Sequence, residues 1–224
     1  MGATALGALL VACEAPADVQ KSPFETSAAT LPGLSEAERA RFQEGAGEFT
    51  EVETIAEGLG PFFNGSSCAH CHSGSGLGTS GVLRVTRFVC RTESGELEAP
   101  PSGTVLHVFS TRPDIAGPGI PEGCDAVLAE RRTTNVLGAG LIEAVDDDEI
   151  LAEEAAQADG LAGRAARVDD AFRGGEGNGR FGWKAQHATL DAFAGDAYRT
   201  ELGITNEIFT DEVVPNGNLD LLDA

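Results

Sequence analysis

The sequence predicts a mainly α-helical domain that carries a small β-hairpin insertion. Three observations support this fold class: helix-forming runs lie at both ends of the domain, a glycine- and serine-rich stretch lies between them, and branched residues alternate in two short segments. The chain has 224 residues, enough for one domain with its own hydrophobic core. We therefore expect a single domain, and we find no internal repeat.

Four segments are predicted to be helical. The first begins after Ser35, because Ser35 and Glu38 have the spacing of a capping box. The last carries apolar residues at i, i+3, i+4, i+7 and i+8 and ends near Leu202, with Gly203 in the C-terminal cap position. The predicted helices are residues 36–44, 133–144, 146–158, where Asp146 and Glu149 repeat the capping-box spacing, and 190–202.

The segments between the helices are predicted as one hairpin and two loops. Residues 82–91 and 104–110 are branched and alternating, and turn residues separate them, which predicts two paired strands. Residues 58–81 are dense in glycine and serine, and residues 159–183 are rich in glycine and arginine. Both compositions predict loops.

The charge of the chain argues against polymer-binding functions. It has 15 Lys plus Arg against 36 Asp plus Glu, a formal net charge of -21 and a pI of about 4.3. Nucleic acid and anionic membrane surfaces are therefore poor partners. An acidic surface can steer a basic redox partner, but our first interpretation is a solvated, self-repelling surface that aids solubility, so charge alone names no partner.

The N-terminal segment has the pattern of an export signal. Residues 1–13 are almost wholly small and apolar and end at Cys13, which is typical of a bacterial lipoprotein and predicts a lipid anchor and a periplasmic or cell-envelope location. No Lys or Arg precedes this run, since the first is Lys21, so we expect the natural start further upstream. Residues 14–33 predict a flexible tether, and residues 34–224 predict the folded domain.

The run Cys68-Ala69-His70-Cys71-His72 has the pattern of covalent haem attachment. Two thiols three residues apart reach the two vinyl groups of one haem, and the next residue, His72, becomes the proximal iron ligand. The sequence therefore predicts haem c, with its iron, in a cytochrome c-like domain. The five cysteines divide into Cys13 for lipid, Cys68 and Cys71 for haem, and Cys90 with Cys124 as a candidate pair for a disulfide in an oxidising compartment, a pairing that the sequence leaves open.

A C-x-x-C motif also occurs in thiol redox sites and zinc sites. A thioredoxin-like site needs a βαβ context, which the glycine- and serine-rich loop does not offer. A zinc site that joins Cys68 and Cys71 to Cys90 and Cys124 stays an alternative, although this spacing is irregular and an exported protein tends to oxidise the second pair.

The sixth iron ligand separates electron transfer from enzymatic chemistry. Methionine is nearly excluded, because Met1 is the only methionine. We predict His187 on the distal side, as iron ligand or as acid/base, because it lies just before the last predicted helix. His107 alternates within a predicted strand, so we expect it at the surface or facing a neighbouring strand. The other candidates are His70, Lys184, Tyr198 and an open site.

Arg131, Arg132, Arg180 and Trp183 are candidates for contacts with haem. Arginine pairs with the anionic propionates, and tryptophan packs against a porphyrin edge. Surface arginines and a core tryptophan need no haem to explain them, so both readings stay open. The acidic run at residues 146–149 indicates helix capping rather than a cation site.

Several short motifs follow one another in a specific order. They are Gly-Leu-Gly-Pro-Phe-Phe-Asn at 58–64, the haem motif at 68–72, Arg-Arg-Thr-Thr at 131–134, Gly-Ala-Gly-Leu-Ile-Glu-Ala at 138–144, Asp-Gly-Leu-Ala-Gly-Arg at 159–164, Gly-Arg-Phe-Gly-Trp-Lys-Ala-Gln at 179–186 and Leu-Gly-Ile-Thr-Asn at 202–206. This combination resembles the N-terminal, one-haem portion of the bacterial di-haem oxidoreductase family, whose members are described as thiol oxidoreductases and are similar to di-haem cytochrome c peroxidases. The resemblance covers residues 34 to about 212.

The resemblance implies haem binding and peroxidase-like chemistry. Members of that family carry a second C-x-x-C-H, and none occurs between His72 and Ala224. We therefore expect either a truncated form of a longer protein or a one-haem descendant.

Three functions follow, in order of expectation. The first is an exported cytochrome that binds one covalent haem and transfers electrons to or from a redox partner protein. The second is a peroxidase-like or thiol oxidoreductase with an open distal haem face, a small-molecule oxidant as substrate, and His187 or Glu143 as acid/base. The third is a lipoprotein whose cysteines serve only structure or zinc.

Overall fold

The computed structural model describes residues 30–100, 103–112, 114, 119–158, 160–161 and 163–213. The predicted signal-like segment with Cys13, and most of the predicted tether, lie outside the described residues. Within the described ranges, no helix combines the length and the apolar character that crossing a lipid bilayer requires.

The predicted mainly α-helical fold class is wrong. Of the described residues, 28% lie in helices and 20% in strands, and those strands form three separate sheets. Two of the sheets pair segments far apart in the chain, as where β1 (Phe62–Phe63) meets β4 (Phe109–Ser110). Such pairing is decided by tertiary contacts and leaves little local pattern, which is why the composition of single segments did not reveal it.

The first helix, α1 (Glu36–Thr50), begins as predicted and runs further. The Ser35 hydroxyl accepts a hydrogen bond from the backbone N–H of Glu38, and the Glu38 carboxylate accepts one from the Ser35 N–H at 2.7 Å. This confirms the capping box. The two glycines at 45 and 47 do not stop the helix, which ends at the extended residue Glu51.

The predicted 58–81 loop contains short regular elements. After a 3₁₀ turn at Ile55–Glu57 come β1 and then α2 (Cys68–Cys71), a single helical turn. The Ser67 hydroxyl caps α2 by accepting a hydrogen bond from the His70 N–H at 3.1 Å. The surrounding glycines permit close approach, since a Cβ at Gly81 would overlap the carbonyl oxygen of Cys71.

The largest sheet is antiparallel, with the order β3-β2-β5. Its central strand β2 (Arg84–Arg91) confirms the strand predicted over 82–91. The long partner of β2 is β5 (Asp125–Arg132), in a register that places Arg84 opposite Arg132, whereas β3 (Leu97–Glu98) pairs only with its end. Residues 104–110 were therefore wrongly predicted as the second hairpin strand, and they contribute one bridge to β2 and the short strand β4.

The disulfide predicted between Cys90 and Cys124 is confirmed. Their Cα atoms lie 5.2 Å apart, within the range that a disulfide requires. The bond closes a stretch with a sequence separation of 34 and ties the end of β2 to the residue before β5. It thereby links the two long strands.

The second half has less helix than predicted. The helix predicted over 133–144 is reduced to α3 (Ala139–Glu143), which begins only after Gly138, since the left-handed conformation of Gly138, with φ 79°, does not fit within an α-helix. The next helix, α4 (Asp147–Ala156), agrees with prediction, but the Asp146 side chain makes no capping hydrogen bond. The predicted 159–183 loop contains a hairpin of β6 (Ala166–Asp169) and β7 (Glu176–Gly179).

The last helix confirms its prediction. α5 (Leu190–Ala197) starts at Thr189, whose hydroxyl accepts a hydrogen bond from the Ala192 N–H at 3.1 Å. It continues into a π-helix, Tyr198–Leu202, which ends at Gly203 with φ 73°. The buried apolar residues come from both halves of the chain, so one core joins the haem-motif region to the last helix: Phe62, Ala69, Phe88, Val105, Phe181, Ala188, Ala192, Leu202 and Val213.

Candidate functional site

The thiols of Cys68 and Cys71 lie at the two ends of α2. Both are free and partly buried. Burial raises the pKa of each thiol, and for Cys71 the charge of Glu201 raises the pKa further. The two thiols therefore stay protonated near neutral pH, and neither is set up as an activated thiolate nucleophile.

His72 ends α2 and is oriented by one hydrogen bond. Its Nδ1 lies 2.8 Å from the carbonyl oxygen of Thr134, and since a carbonyl only accepts, Nδ1 carries the proton. Burial lowers the pKa of His72, so the ring is neutral and Nε2 offers a lone pair. A neutral imidazole whose other nitrogen donates to a carbonyl is the form that binds a metal.

A cavity of about 430 Å³ adjoins His72 through Thr134. It is lined by Ser80, Arg132, Thr133, Thr134, Asn135 and Trp183. Leu137, which is 59% exposed, lies against Gly78, whose N–H donates to the His72 carbonyl at 2.8 Å. An exposed apolar side chain, a free imidazole nitrogen and two adjacent thiols fit a flat, largely apolar group with a metal at its centre, which is the chemistry of haem.

Three of the predicted haem-contact residues lie at or beside this cavity. The guanidinium of Arg131 lies over the Trp183 ring, 5.6 Å from its centroid. Arg132 lines the cavity, and its Nε donates to the carbonyl of Gly81 at 3.2 Å. Arg132 and Trp183 thus line the cavity directly, and Arg131 reaches it through its contact with Trp183.

Arg180 and Glu143, also predicted as site residues, are engaged in holding helices. The Arg180 guanidinium donates to the carbonyls of Ile142, Glu143 and Val145 and pairs with Asp147, so it joins the end of α3 to the start of α4. The Glu143 carboxylate accepts from the Leu190 N–H at 2.9 Å, at the N-terminus of α5. Both side chains fix the arrangement of these helices.

His187 lies beside the last helix. Its Nε2 is 3.1 Å from Oδ2 of Asp196, and its ring packs against Phe193 and Phe209. Burial raises the pKa of Asp196, but the hydrogen bond from His187 and the nearby Arg199 outweigh this effect and lower it. These contacts leave Nδ1 as the ring nitrogen of His187 that is free to act on a ligand.

His107 was predicted to lie at the surface or to face a neighbouring strand. The surface alternative is wrong, because His107 is only 2% exposed. Its Nε2 donates to the Thr200 carbonyl at 2.8 Å, and burial lowers its pKa, so the ring is neutral. Tertiary packing against the π-helix, which a strand pattern does not reveal, is the reason for this burial.

The other distal candidates differ in their surroundings. His70 and Lys184 are exposed. Burial, with nearby Cys68 and glutamates, raises the pKa of Tyr198 to about 12. A phenol with so high a pKa stays protonated, so Tyr198 is suited to donate a hydrogen bond rather than to bind iron as a phenolate.

Two residues of this region carried no signal recognised in the sequence. Thr134 orients His72 through its backbone, which any residue type supplies. Glu201 reaches Asn64, 137 positions away in sequence, and its charge contributes to the raised pKa of Cys71. The fixed order of the 58–64 and 202–206 motifs was the one available sign that these regions meet.

The Cys90–Cys124 disulfide excludes the alternative of a zinc site with four cysteine ligands. Cys90 and Cys124 are bonded to each other, so they supply no thiolates to a site with Cys68 and Cys71. Across the part of the chain that the structure describes, no group of three or more His, Cys, Asp or Glu side chains is placed to hold a metal ion.

One comparison with known proteins gives a match over part of the chain. Residues 123–221 match the family model described as "Di-haem oxidoreductase, putative peroxidase". No curated protein and no solved structure matches the chain. The predicted resemblance to di-haem oxidoreductases is confirmed over residues 123–221, and this family indicates a haem cofactor and peroxidase-like oxidoreductase chemistry. The matched region begins after the cysteine motif and contains β5, Thr134, Trp183 and the last helix.

Proposed function

We propose that this chain binds one haem covalently through Cys68 and Cys71, with His72 as proximal iron ligand, and transfers electrons. The observation that carries the proposal is the state of His72: its Nδ1 is bonded to the Thr134 carbonyl and its Nε2 is free, directly after two free thiols. Haem bound there supplies one-electron redox chemistry through its iron.

The chain's own residues have separate tasks in this proposal. Thr134 holds the proton on Nδ1 of His72. Arg131 and Arg132 would pair with the propionates of a bound haem, and Trp183 would pack against it. Arg180 supports the site indirectly by holding α3 next to α4.

The test is the absorption spectrum of the protein expressed with a c-haem maturation system, with an alkaline pyridine assay for covalent haem. We expect a c-type spectrum, its loss in the Cys68→Ala/Cys71→Ala variant, and a changed spin state in His72→Ala. The matched control is His70→Ala, an exposed histidine of the same motif, which should keep the wild-type spectrum. A wild-type protein without covalent haem would refute the proposal.

The alternative is a peroxidase-like or thiol oxidoreductase, and the wording of the family match favours it. In this version the distal face is open, and His187 or Glu143 acts as acid/base. A low-spin ferric spectrum that ignores cyanide and peroxide would support the electron carrier with His187 as sixth ligand, whereas a high-spin fraction that binds them would support the enzyme. His187→Ala separates the two, since loss of a ligand converts low-spin to high-spin iron.

We also propose that the protein is exported to the cell envelope and exchanges electrons with a positively charged partner protein. Disulfides persist in oxidising compartments, and the Cys90–Cys124 bond fits the cell envelope that the Cys13 motif predicts. The net charge of -21 favours a positively charged protein partner.

A further inference from the structure

The π-helix Tyr198–Leu202 holds the segment that leads into the attachment helix α2. A helix end leaves backbone carbonyls without partners inside the helix, and here three consecutive carbonyls find partners elsewhere. Thr200 accepts from His107 Nε2 at 2.8 Å, Glu201 from the Asn64 N–H at 2.7 Å, and Leu202 from the Gly60 N–H at 2.9 Å. This end of the last helix is therefore fastened to the haem-motif region.

The side chain of Glu201 points into the same region and meets a neutral partner. Its Oε2 accepts a hydrogen bond from Nδ2 of Asn64 at 2.9 Å. In the described ranges Glu201 forms no ion pair, although Arg87 lies near enough to act on its charge. An amide N–H can donate to either the charged or the neutral form of a carboxyl group, so this contact survives in both protonation states.

Glu201 is held next to the start of α2. Its carbonyl accepts hydrogen bonds from the N–H groups of Asn64 at 2.7 Å and Gly65 at 3.4 Å, and α2 begins at Cys68. In keeping with this position, its negative charge contributes, after burial, to the raised pKa of the Cys71 thiol. A charge on Glu201 would therefore act on a haem joined to Cys71 through a partly buried environment, where electrostatic interactions are stronger than in water.

We propose that Glu201 takes up a proton when the haem attached at Cys71 is reduced, so that electron transfer by this protein is coupled to proton transfer. The inference rests on the proposed function. One electron from a one-electron donor converts ferric to ferrous iron, and one proton from solvent converts the Glu201 carboxylate to the neutral acid. The added negative charge at the haem is the reason why the carboxyl group binds its proton more tightly in the reduced state.

The charged and titratable groups around Glu201 act in both directions. Arg87 of β2 favours the carboxylate, whereas Asp196 of α5 favours the neutral acid. Burial is the largest effect and raises the pKa of Glu201. His107 faces the same helix through the Thr200 carbonyl, and burial keeps it neutral by lowering its pKa.

The test is the midpoint potential of the holoprotein as a function of pH, from about pH 5 to about pH 9, with soluble redox mediators. In this proposal Glu201 has one pKa in the oxidised protein and a higher pKa in the reduced protein. Between these two pKa values, the wild-type potential should fall by up to about 59 mV per pH unit, the value for one proton per electron. Glu201→Gln keeps the hydrogen-bond acceptor but cannot titrate, so its potential should stay near the wild-type low-pH value at every pH.

Two further variants and one spectrum sharpen the test. Asn64→Asp places a second carboxyl group beside Glu201 and should move the pH window upward, because neighbouring carboxylates hold a proton more tightly. Glu207→Gln, at an exposed glutamate of the following loop, should keep the wild-type slope. Infrared difference spectra should show a protonated carboxyl band appearing on reduction in the wild type but not in Glu201→Gln.

The outcomes separate this inference from the proposed function. A covalent haem spectrum with a potential independent of pH, or with a slope that persists in Glu201→Gln, would overturn the inference alone and leave haem binding intact. A wild-type protein without covalent haem would overturn both. Should Glu201→Gln fail to fold, the upward shift in Asn64→Asp supports the inference and an unmoved window refutes it.

Discussion

A hydrogen bond to the backbone sets the tautomer and the orientation of the His72 ring. The Thr134 carbonyl keeps the proton on Nδ1, and because this acceptor is not a side chain, replacing Thr134 should leave it in place. The orientation of His72 therefore depends on the position of the chain just after β5, where residues 131–134 run past the attachment helix. This is how a residue more than sixty positions away in sequence sets the chemistry of the motif.

The Glu143 carboxylate caps α5, so we predict that replacing it changes the stability of the protein. Glu143→Ala removes the acceptor for the Leu190 N–H and should lower the free energy of unfolding by about 1 kcal/mol, the usual cost of a lost helix cap. Glu143→Gln keeps an oxygen acceptor and should unfold at the wild-type urea concentration. Equal losses in both variants, measured by urea denaturation, would contradict this assignment.

At the scale of elements, α3 and α4 depend on Arg180. The side chain is only 8% exposed, and its guanidinium satisfies three carbonyls at the end of α3 together with Asp147 in the first turn of α4. This buried arginine holds the two helices together, because the carbonyls and the carboxylate that it bonds would otherwise lack hydrogen-bond partners.

Replacing Arg180 by Met should therefore be costly. We expect Arg180→Met to lower the free energy of unfolding by about 3 kcal/mol, since the carbonyls and Asp147 lose a charged donor. Arg180→Lys should lie between Met and wild type, because an ammonium group cannot reach all of these acceptors. Arg164→Gln, at an exposed arginine, is the matched control and should have little effect in the same measurement.

Elements with a local signal were predictable. Ser35 and Glu38 mark the start of α1, alternation marks β2, and the apolar periodicity with Gly203 marks the last helix. The partner of β2 was not predictable, since β5 is defined by its pairing across the sheet and carries acidic and basic residues at its end. The β6–β7 hairpin was missed for a similar reason, because two of the four residues of β7 are glycine.

At the scale of the whole molecule, the Cys90–Cys124 disulfide ties the sheet together. Replacing both residues by Ser should lower the free energy of unfolding by about 4 kcal/mol, because the unfolded chain loses a closed loop with a sequence separation of 34. Denaturation of the wild type under reducing conditions should give the same loss. Covalent haem should still attach to Cys68 and Cys71 in the variant, and loss of attachment would instead link the disulfide to the site.

The sequence by itself determined which chemical groups lie at residues 68–72. Two thiols and a histidine at fixed local spacing, a single methionine and paired remaining cysteines are all properties of the chain alone. The tertiary structure decided the surroundings: the protonated nitrogen of His72, the burial of His107, the contacts of Arg180 with α3 and α4, and the hydrogen bond between Glu201 and Asn64. Each of these depends on contact between residues far apart in sequence, and such contacts are settled by packing and strand pairing rather than by local pattern.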